Sequence, residues 1–341
     1  MEFPVSGVII NPVYLAGIGF LVGMLGGFFG VGGGFIAGPL MFLSGVPMNF
    51  VVGTDLAHMT GKSLVAARRH RILGNVDIKL GTLMIVGTII GVEIGAQLVE
   101  LIKNMGMANQ IIGWSYVAIL LVIGTFTAIE SIRAIKMIHT QKIDAKEAIG
   151  FTGLTKRVQL IKLKPMISLP ASGIESISLW VILFSGLITG ILAGFLGVGG
   201  GFLRMPLMVY VLGVPTHVAI GTDLFEIVFS AGFGTITHAI KGNVDIMIAL
   251  FMHTGAAIGA QIGAVATHHF NGPRIRLLFS GMPFIGAILV IARLLSGAAN
   301  SIHWQIITMH NLLSITQSPH SQSTINLGNT ISSILKAEIT L

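Results

Sequence analysis

Apolar residues run through this chain in long blocks, not in the alternation of a half-buried strand. The first block, Val13 to Phe29, ends at a cluster of glycines. A helix needs about 20 residues to cross a hydrocarbon core of about 30 Å, so the next block, 35–45, is too short to span. A longer segment follows over 48–70, then two full spans at 78–98 and 108–129. The same succession returns at 177–196, 202–212, 216–240, 244–266 and 275–296. This pattern predicts an all-α polytopic membrane protein with about five helical segments in each half, each half including a short helix pair broken at glycine.

The halves match in detail. Phe29-Gly30-Val31-Gly32-Gly33-Gly34-Phe35 returns as Leu196-Gly197-Val198-Gly199-Gly200-Gly201-Phe202, and each copy leads to Pro-Leu-Met, at Pro39 and Pro206. Gly45-Val46-Pro47 then pairs with Gly213-Val214-Pro215, and Gly53-Thr54-Asp55-Leu56 with Gly221-Thr222-Asp223-Leu224. Gly74-Asn75-Val76-Asp77 pairs with Gly242-Asn243-Val244-Asp245, and Ile94-Gly95-Ala96-Gln97 with Ile258-Gly259-Ala260-Gln261. Blocks matched in one order at a near-constant offset mark an internal duplication. It divides the chain into a first transmembrane repeat (1–130), a basic link (131–176), a second repeat (177–297) and a polar tail (298–341).

Composition supports the bilayer as solvent. Of 341 residues 53% are hydrophobic and only 10% charged, and the mean hydropathy is +0.88; a soluble domain carries about a quarter charged residues. The first block has no basic stretch before it and reads as part of the body, not as a signal peptide. With no cysteine, disulfides and thiolate chemistry are excluded. The net charge of +7 reflects loops, not a nucleic-acid surface. Arg68, Arg69, Arg71 and Lys79 follow the third segment, and Arg133, Lys136, Lys142, Lys146, Lys156, Arg157, Lys162 and Lys164 fill the link. By the positive-inside rule both clusters lie in the cytoplasm. Lys241 and the pair Arg274 and Arg276 then fit if the second repeat is inverted, with both termini outside and the chain in the plasma (inner) membrane. The link reads as a basic amphipathic or mobile cytoplasmic loop, and the tail after Asn300 as loosely ordered.

Two constellations carry candidate chemistry. The glycines Gly32, Gly33, Gly34, Gly199, Gly200 and Gly201 have no βαβ context and no following Gly-Lys-Ser/Thr, so a nucleotide loop is set aside. They either let helices pack closely or unwind the chain at membrane depth, where the start of the next half-helix would hold an anion. Thr54-Asp55 and Thr222-Asp223 form the second constellation. Each aspartate is either a helix N-cap or an intramembrane carboxylate that binds protons or a cation. Arg204 stands where the first repeat has Ala37; it is a substrate contact for an oxyanion or a partner of Glu226 or Asp223. His58, Lys62, Glu93, Glu226, His238 and His253 also read as buried. His70 reads as solvated within its basic loop, and Gln97 and Gln261 as bonding across helices. The histidines show no metal-ligand spacing, and no cofactor is implied.

With these residues in hand, the paired Gly-Val-Gly-Gly-Gly-Phe…Pro-Leu blocks, each followed by Gly-Val-Pro, Gly-Thr and Gly-Asn-Val-Asp, resemble the TauE/SafE sulfite exporter family over residues 13–296. The resemblance implies a proton-coupled transporter of sulfite, sulfoacetate or other organosulfonates. It places Gly32, Gly33, Gly34 and Pro39, and Gly199, Gly200, Gly201 and Pro206, in the family's motif blocks. Thr54 and Thr222 match the threonine of the family's Thr-Ser pair, but the residues that follow here are Asp55 and Asp223. The expected partners are therefore the lipid bilayer, a small anion and coupling protons. A homo-oligomer is compatible with the sequence. A cation transporter using the two aspartates is the alternative, ahead of a channel or an intramembrane enzyme.

Overall fold

The computed structural model describes residues 1–141 and 153–316. Residues 1–294 form one unit. It opens with a hairpin of β1 (Glu2–Phe3) and β2 (Val8–Ile9), followed by α1 (Pro12–Phe29), α2 (Gly34–Leu43), α3 (Met48–Ile72), α4 (Ile78–Asn104) and α5 (Ala108–Gln141). After α6 (Gly153–Gln159) the order repeats. A hairpin of β3 (Met166–Leu169) and β4 (Ile174–Ser178) leads to α7 (Leu179–Leu196), α8 (Gly201–Leu207) extended by a π-turn over Met208–Leu212, α9 (Thr216–Ile240), α10 (Ile246–Ala266) and α11 (Gly272–Thr316). A second unit begins at Leu295 and is helical through Thr316. Residues 142–152 of the predicted link and 317–341 of the predicted tail lie outside the described residues.

All ten predicted segments are helical and begin within three residues of their expected starts. Among the described residues, seven helices are long and apolar enough to cross a membrane. α3 falls short in hydropathy because it carries His58, Lys62 and a basic end, yet its 25 residues suffice in length. Val86, Ile90, Val122, Phe184, Ile258 and Ile288 are exposed on the outer helix faces, where lipid replaces water as their solvent. The chain is an all-α, multi-pass membrane protein.

Local chemistry sets the boundaries. Asn11 accepts from the Val13 N–H at 2.9 Å to cap α1, and Pro12 occupies the first turn, where a missing N–H costs nothing. Gly30 and Gly197, at φ 77° and 74°, end α1 and α7 in the left-handed region that glycine alone occupies freely. Pro47 and Pro215 start α3 and α9.

Helix directions follow from contacts. Gly19, Gly23 and Gly27 of α1 lie against Met252, Ala256 and Ala260 of α10 in rising order, so these helices are parallel. Gly87, Gly91 and Gly95 of α4 climb α7 beside Leu183, Leu187 and Ile191, so that pair is parallel too. In contrast, Gly53 of α3 meets Asn243 just past the end of α9, and Gly221 near the start of α9 meets Asn75 just past the end of α3, which makes these equivalent helices antiparallel. Short loops reverse the chain between α3 and α4 and between α9 and α10. α1, α3 and α4 therefore run opposite to their counterparts α7, α9 and α10.

The parallel seams bring backbones together through glycine, as membrane helices do. A Cβ at Gly91 would lie 2.6 Å from the Ile191 amide nitrogen, with no flexible side chain to yield. Gly91→Ile is expected to lower stability by about 1–3 kcal/mol, read as a drop in the thermal midpoint of the detergent-solubilised protein. Gln97 and Gln261 do not join helices. Gln97 donates to Glu93 within α4 at 2.6 Å, and Gln261 to the Ala257 carbonyl within α10 at 3.4 Å; both are exposed.

Candidate functional site

The two glycine turns meet between the midpoints of α3 and α9. A Cβ on Gly34 would lie 2.8 Å from Val198 Cα, and one on Gly201 2.9 Å from the Val31 carbonyl carbon. Met59 lies against Gly32 and Gly199, and Ile227 against Gly32, Gly199 and Gly201. Leu56, Met59, Ile227 and Ala231 form a small apolar cluster of their own at this crossing. Gly33 and Gly200, each at φ 73°, open α2 and α8. The glycines thus break the helices and let the two turns approach closely.

Each aspartate faces the first residue of its half-helix. Asp55 Oδ2 would lie 2.9 Å from a Cβ on Gly34, and Asp223 Oδ2 2.7 Å from one on Gly201. The carboxylate occupies the space of a side chain, and the partial positive charge of a helix start lies before it. Neither aspartate is an N-cap. Pro47 and Pro215 fix the helix starts, so Asp55 and Asp223 fall in the third turn, buried to 1% and 0% exposure.

Around this shared frame the halves differ. On the second side, Arg204 donates to Asp223 Oδ1 at 2.8 Å, pairs through the same Nη1 with Glu226 Oε2, and donates from Nε to Thr189 Oγ1 at 3.3 Å. The Arg204 Nη2 group is buried without a hydrogen-bond partner among the described residues and points to the space beside Gly200. Ser230 donates to Glu226 at 3.0 Å. On the first side, Asp55 Oδ1 lies 3.4 Å from His58 Nδ1, and Lys62 Nζ lies 3.1 Å from that same nitrogen. All of these ionisable groups are at most 2% exposed. Tyr116, which no sequence pattern singled out, donates from α5 to the Gly34 carbonyl at 2.6 Å.

Thr54 and Thr222 sit one residue before the aspartates but turn to the opposite repeat. Thr54 Oγ1 accepts from the Asp245 N–H at 2.9 Å and Thr222 Oγ1 from the Asp77 N–H at 2.8 Å. Asp77 caps α4 through the Leu80 N–H at 3.0 Å, and Asp245 caps α10 through the Met247 and Ile248 N–H groups at 3.1 and 3.3 Å. Their second oxygens accept from Ser172 Oγ at 2.6 Å and Ser6 Oγ at 2.7 Å. The repeated Gly-Asn-Val-Asp block is thus a pair of reciprocal clasps between the repeats. The serines lie in the hairpin turns Pro4-Val5-Ser6-Gly7 and Pro170-Ala171-Ser172-Gly173, a further matched block that would have flagged them.

Three other placements differ from expectation. His70 is not solvated; it is fully buried and bonds the Gly27 carbonyl at 3.1 Å, as its counterpart His238 bonds Gly194 at 2.8 Å. Glu93 is partly exposed and pairs with Lys241 at 3.3 Å. His253 is half-buried.

Comparison with known proteins fits this architecture. A probable membrane transporter protein of Bacillus subtilis, YunE, is 28% identical over 265 residues, covering 74% of this chain and 87% of its own length. The probable membrane transporter protein MJ0441 of Methanocaldococcus jannaschii is 25% identical over 281 residues, 78% of this chain and 90% of its own. The sulfite exporter TauE/SafE family protein 3 of Arabidopsis thaliana is 32% identical over 108 residues, 30% of this chain and 22% of its own. No solved structure matches. The sequence model of the sulfite exporter TauE/SafE family covers residues 15–290, from α1 through the crossing of the two glycine turns into α11, and the chain belongs to that family of membrane transporters.

Proposed function

We propose that the chain is a secondary transporter that exports a small anion such as sulfite, sulfoacetate or another organosulfonate, coupled to protons, by alternating access. The observation that carries this reading is Arg204, a buried guanidinium beside the second glycine turn, held by two carboxylates and with one free nitrogen. An oxyanion that binds Arg204 bidentately competes with Asp223 and Glu226. A displaced carboxylate in this apolar interior needs a proton, so anion occupancy and protonation rise together. Asp55, Asp223 and Glu226 already outnumber Lys62 and Arg204 in the cluster. Full ionisation with neutral His58 would leave a net buried negative charge, which is costly.

In this reading Gly32, Gly33, Gly34, Gly199, Gly200 and Gly201 form the backbone walls of the anion site, and Asp55 and Asp223 couple it to protons. Thr54 and Thr222 act on it indirectly, by clasping the repeats. Inverted repeats with broken helices at the midplane suit rocking of one bundle against the other. The basic end of α3 and the described part of the link before α7 lie together, and the positive-inside rule assigns this end and the start of α11 to the cytoplasm, leaving both termini outside. The membrane potential assists export only by the net negative charge moved, about 2.3 kcal/mol per charge per 100 mV, and a proton that leaves with the anion cancels one such charge.

The test is flux of radiolabelled sulfite and of a simple sulfonate across proteoliposomes, with and without an imposed pH gradient. Accumulation that follows the gradient is expected. Absence of flux for both anions in folded protein would reassign the site to a cation held by Asp55 and Asp223.

A further inference from the structure

We propose that His58 carries a proton between Lys62 and Asp55, so that the first repeat holds a proton relay of its own beside the anion site at Arg204 in the second. The inference rests on the proton-coupled reading above and assigns a role within it to two residues that the repeat pattern does not share.

The argument starts from one atom. His58 Nδ1 is 3.1 Å from Lys62 Nζ and 3.4 Å from Asp55 Oδ1. An imidazole nitrogen has either one lone pair or one hydrogen in the ring plane, so Nδ1 serves one neighbour at a time. When it accepts from the Lys62 ammonium, it has nothing to donate to Asp55. When it carries hydrogen and donates to Asp55, it has no lone pair for Lys62. Nδ1 thus stands between a proton donor and a proton acceptor, where it can take a proton from one and give it to the other.

The transfer balances. A proton leaves Lys62 Nζ for the Nδ1 lone pair, giving a neutral amine and an imidazolium. The same Nδ1 proton then passes to Asp55 Oδ1, giving a neutral carboxyl and restoring neutral imidazole with hydrogen on Nε2. The Lys62–Asp55 pair carries no net charge before or after, so the shift is tolerated where an uncompensated charge would not be. The neutralised Asp55 then stands beside Gly34, at the start of α2, without repelling an anion.

The surroundings isolate this route. From α10, His253 lies against Gly61, half-buried and within electrostatic reach of Lys62 and His58. From α5, Tyr116 lies within reach of Asp55, but its hydroxyl is committed to the Gly34 carbonyl. The charged groups of α8 and α9, Arg204, Asp223 and Glu226, are engaged with one another. Those helices offer no equivalent relay. The counterpart of His58 is Glu226, fixed by Arg204 and Ser230, and the counterpart of Lys62 is Ser230.

Two measurements test this. In proteoliposomes, His58→Gln and Lys62→Arg are both expected to reduce pH-gradient-driven sulfite accumulation by about a hundredfold, and at least tenfold more than they reduce sulfite–sulfite exchange, as ratios within each variant. Lys62→Arg decides between a relay and a structural cation, because guanidinium keeps the charge but does not release a proton. Gradient-driven accumulation near wild type in Lys62→Arg overturns the proposal. The second measurement needs no substrate. Solid-state nitrogen NMR of histidine-labelled protein, with the His58 signal identified by its loss in His58→Gln, is expected to show Nδ1 bare and accepting from Lys62, as at both ends of the transfer. In Lys62→Met, Nδ1 should instead carry the hydrogen and donate to Asp55. An Nδ1 signal that is identical in wild type and Lys62→Met overturns the relay. Absence of wild-type sulfite flux together with the expected nitrogen signals would instead overturn the anion assignment and leave the relay standing.

Discussion

Replacing Arg204 with methionine is expected to abolish anion flux and to remove about 3–5 kcal/mol of stability. The side chain is fully buried and holds Asp223 and Glu226 together. Removing the cation leaves two carboxylates facing each other with no compensating charge, and a buried unpaired charge is among the most destabilising changes in an apolar interior. The pair itself need not be a strong net stabiliser, since desolvation offsets much of its attraction. That predicts a rescue. Arg204→Met combined with Asp223→Asn and Glu226→Gln should recover most of the thermal midpoint, because every ion has then left the site. Flux should not return with stability, because the oxyanion has lost its guanidinium. Thermal unfolding in detergent and sulfite flux in proteoliposomes measure the two effects separately. If the triple variant carries sulfite as well as the native protein does, Arg204 is a structural ion and not a substrate contact.

Asp77→Ala is expected to cost about 3 kcal/mol, from two losses. The α4 N-cap contributes about 1 kcal/mol, and the buried Ser172 hydroxyl is left without an acceptor, at about 1–3 kcal/mol. Ser172→Ala alone removes the donor and keeps the cap, so it should cost less. Asp245 accepts from Ser6 Oγ and caps α10 in the same way, and also accepts from the Ser6 N–H at 3.2 Å, so Asp245→Ala should lower the thermal midpoint at least as far as Asp77→Ala. A smaller loss for Asp245→Ala than for Asp77→Ala would show that the extra bonds of Asp245 add nothing to stability.

The broken-helix architecture was legible in the chain because its signals are local. Glycine clusters, the prolines before α3 and α9, and apolar block length each act within a turn or two, and they fixed all ten helix starts. Misreadings arose where a tertiary contact outvoted local context. Arg68, Arg69 and Arg71 make His70 look solvated, yet the helical period turns it inward to Gly27 while the arginines stay exposed. Gly53-Thr54-Asp55 resembles a capping sequence, but Pro47 has already started the helix. The partners of Thr54 and Thr222 lie in the other repeat, and nothing nearby in sequence names them. The oddity of Arg204 was visible against Ala37. Its commitment to both Asp223 and Glu226 through one nitrogen was not.

The parallel seams of α1 with α10 and α4 with α7, and the reciprocal clasps, make every major contact in this bundle one between a repeat and its inverse. A single unduplicated repeat makes such contacts by dimerising with a copy inserted the other way up. Two copies of one gene product would necessarily be identical, so a lysine on one side would be a lysine on both. Fusion lifts that constraint. Once the halves are joined, position 62 can be lysine while 230 is serine, 58 histidine while 226 is glutamate, and 204 arginine while 37 is alanine. The duplication thus keeps the symmetric scaffold and frees its centre to become lopsided, a division of labour that a homodimer could not inherit.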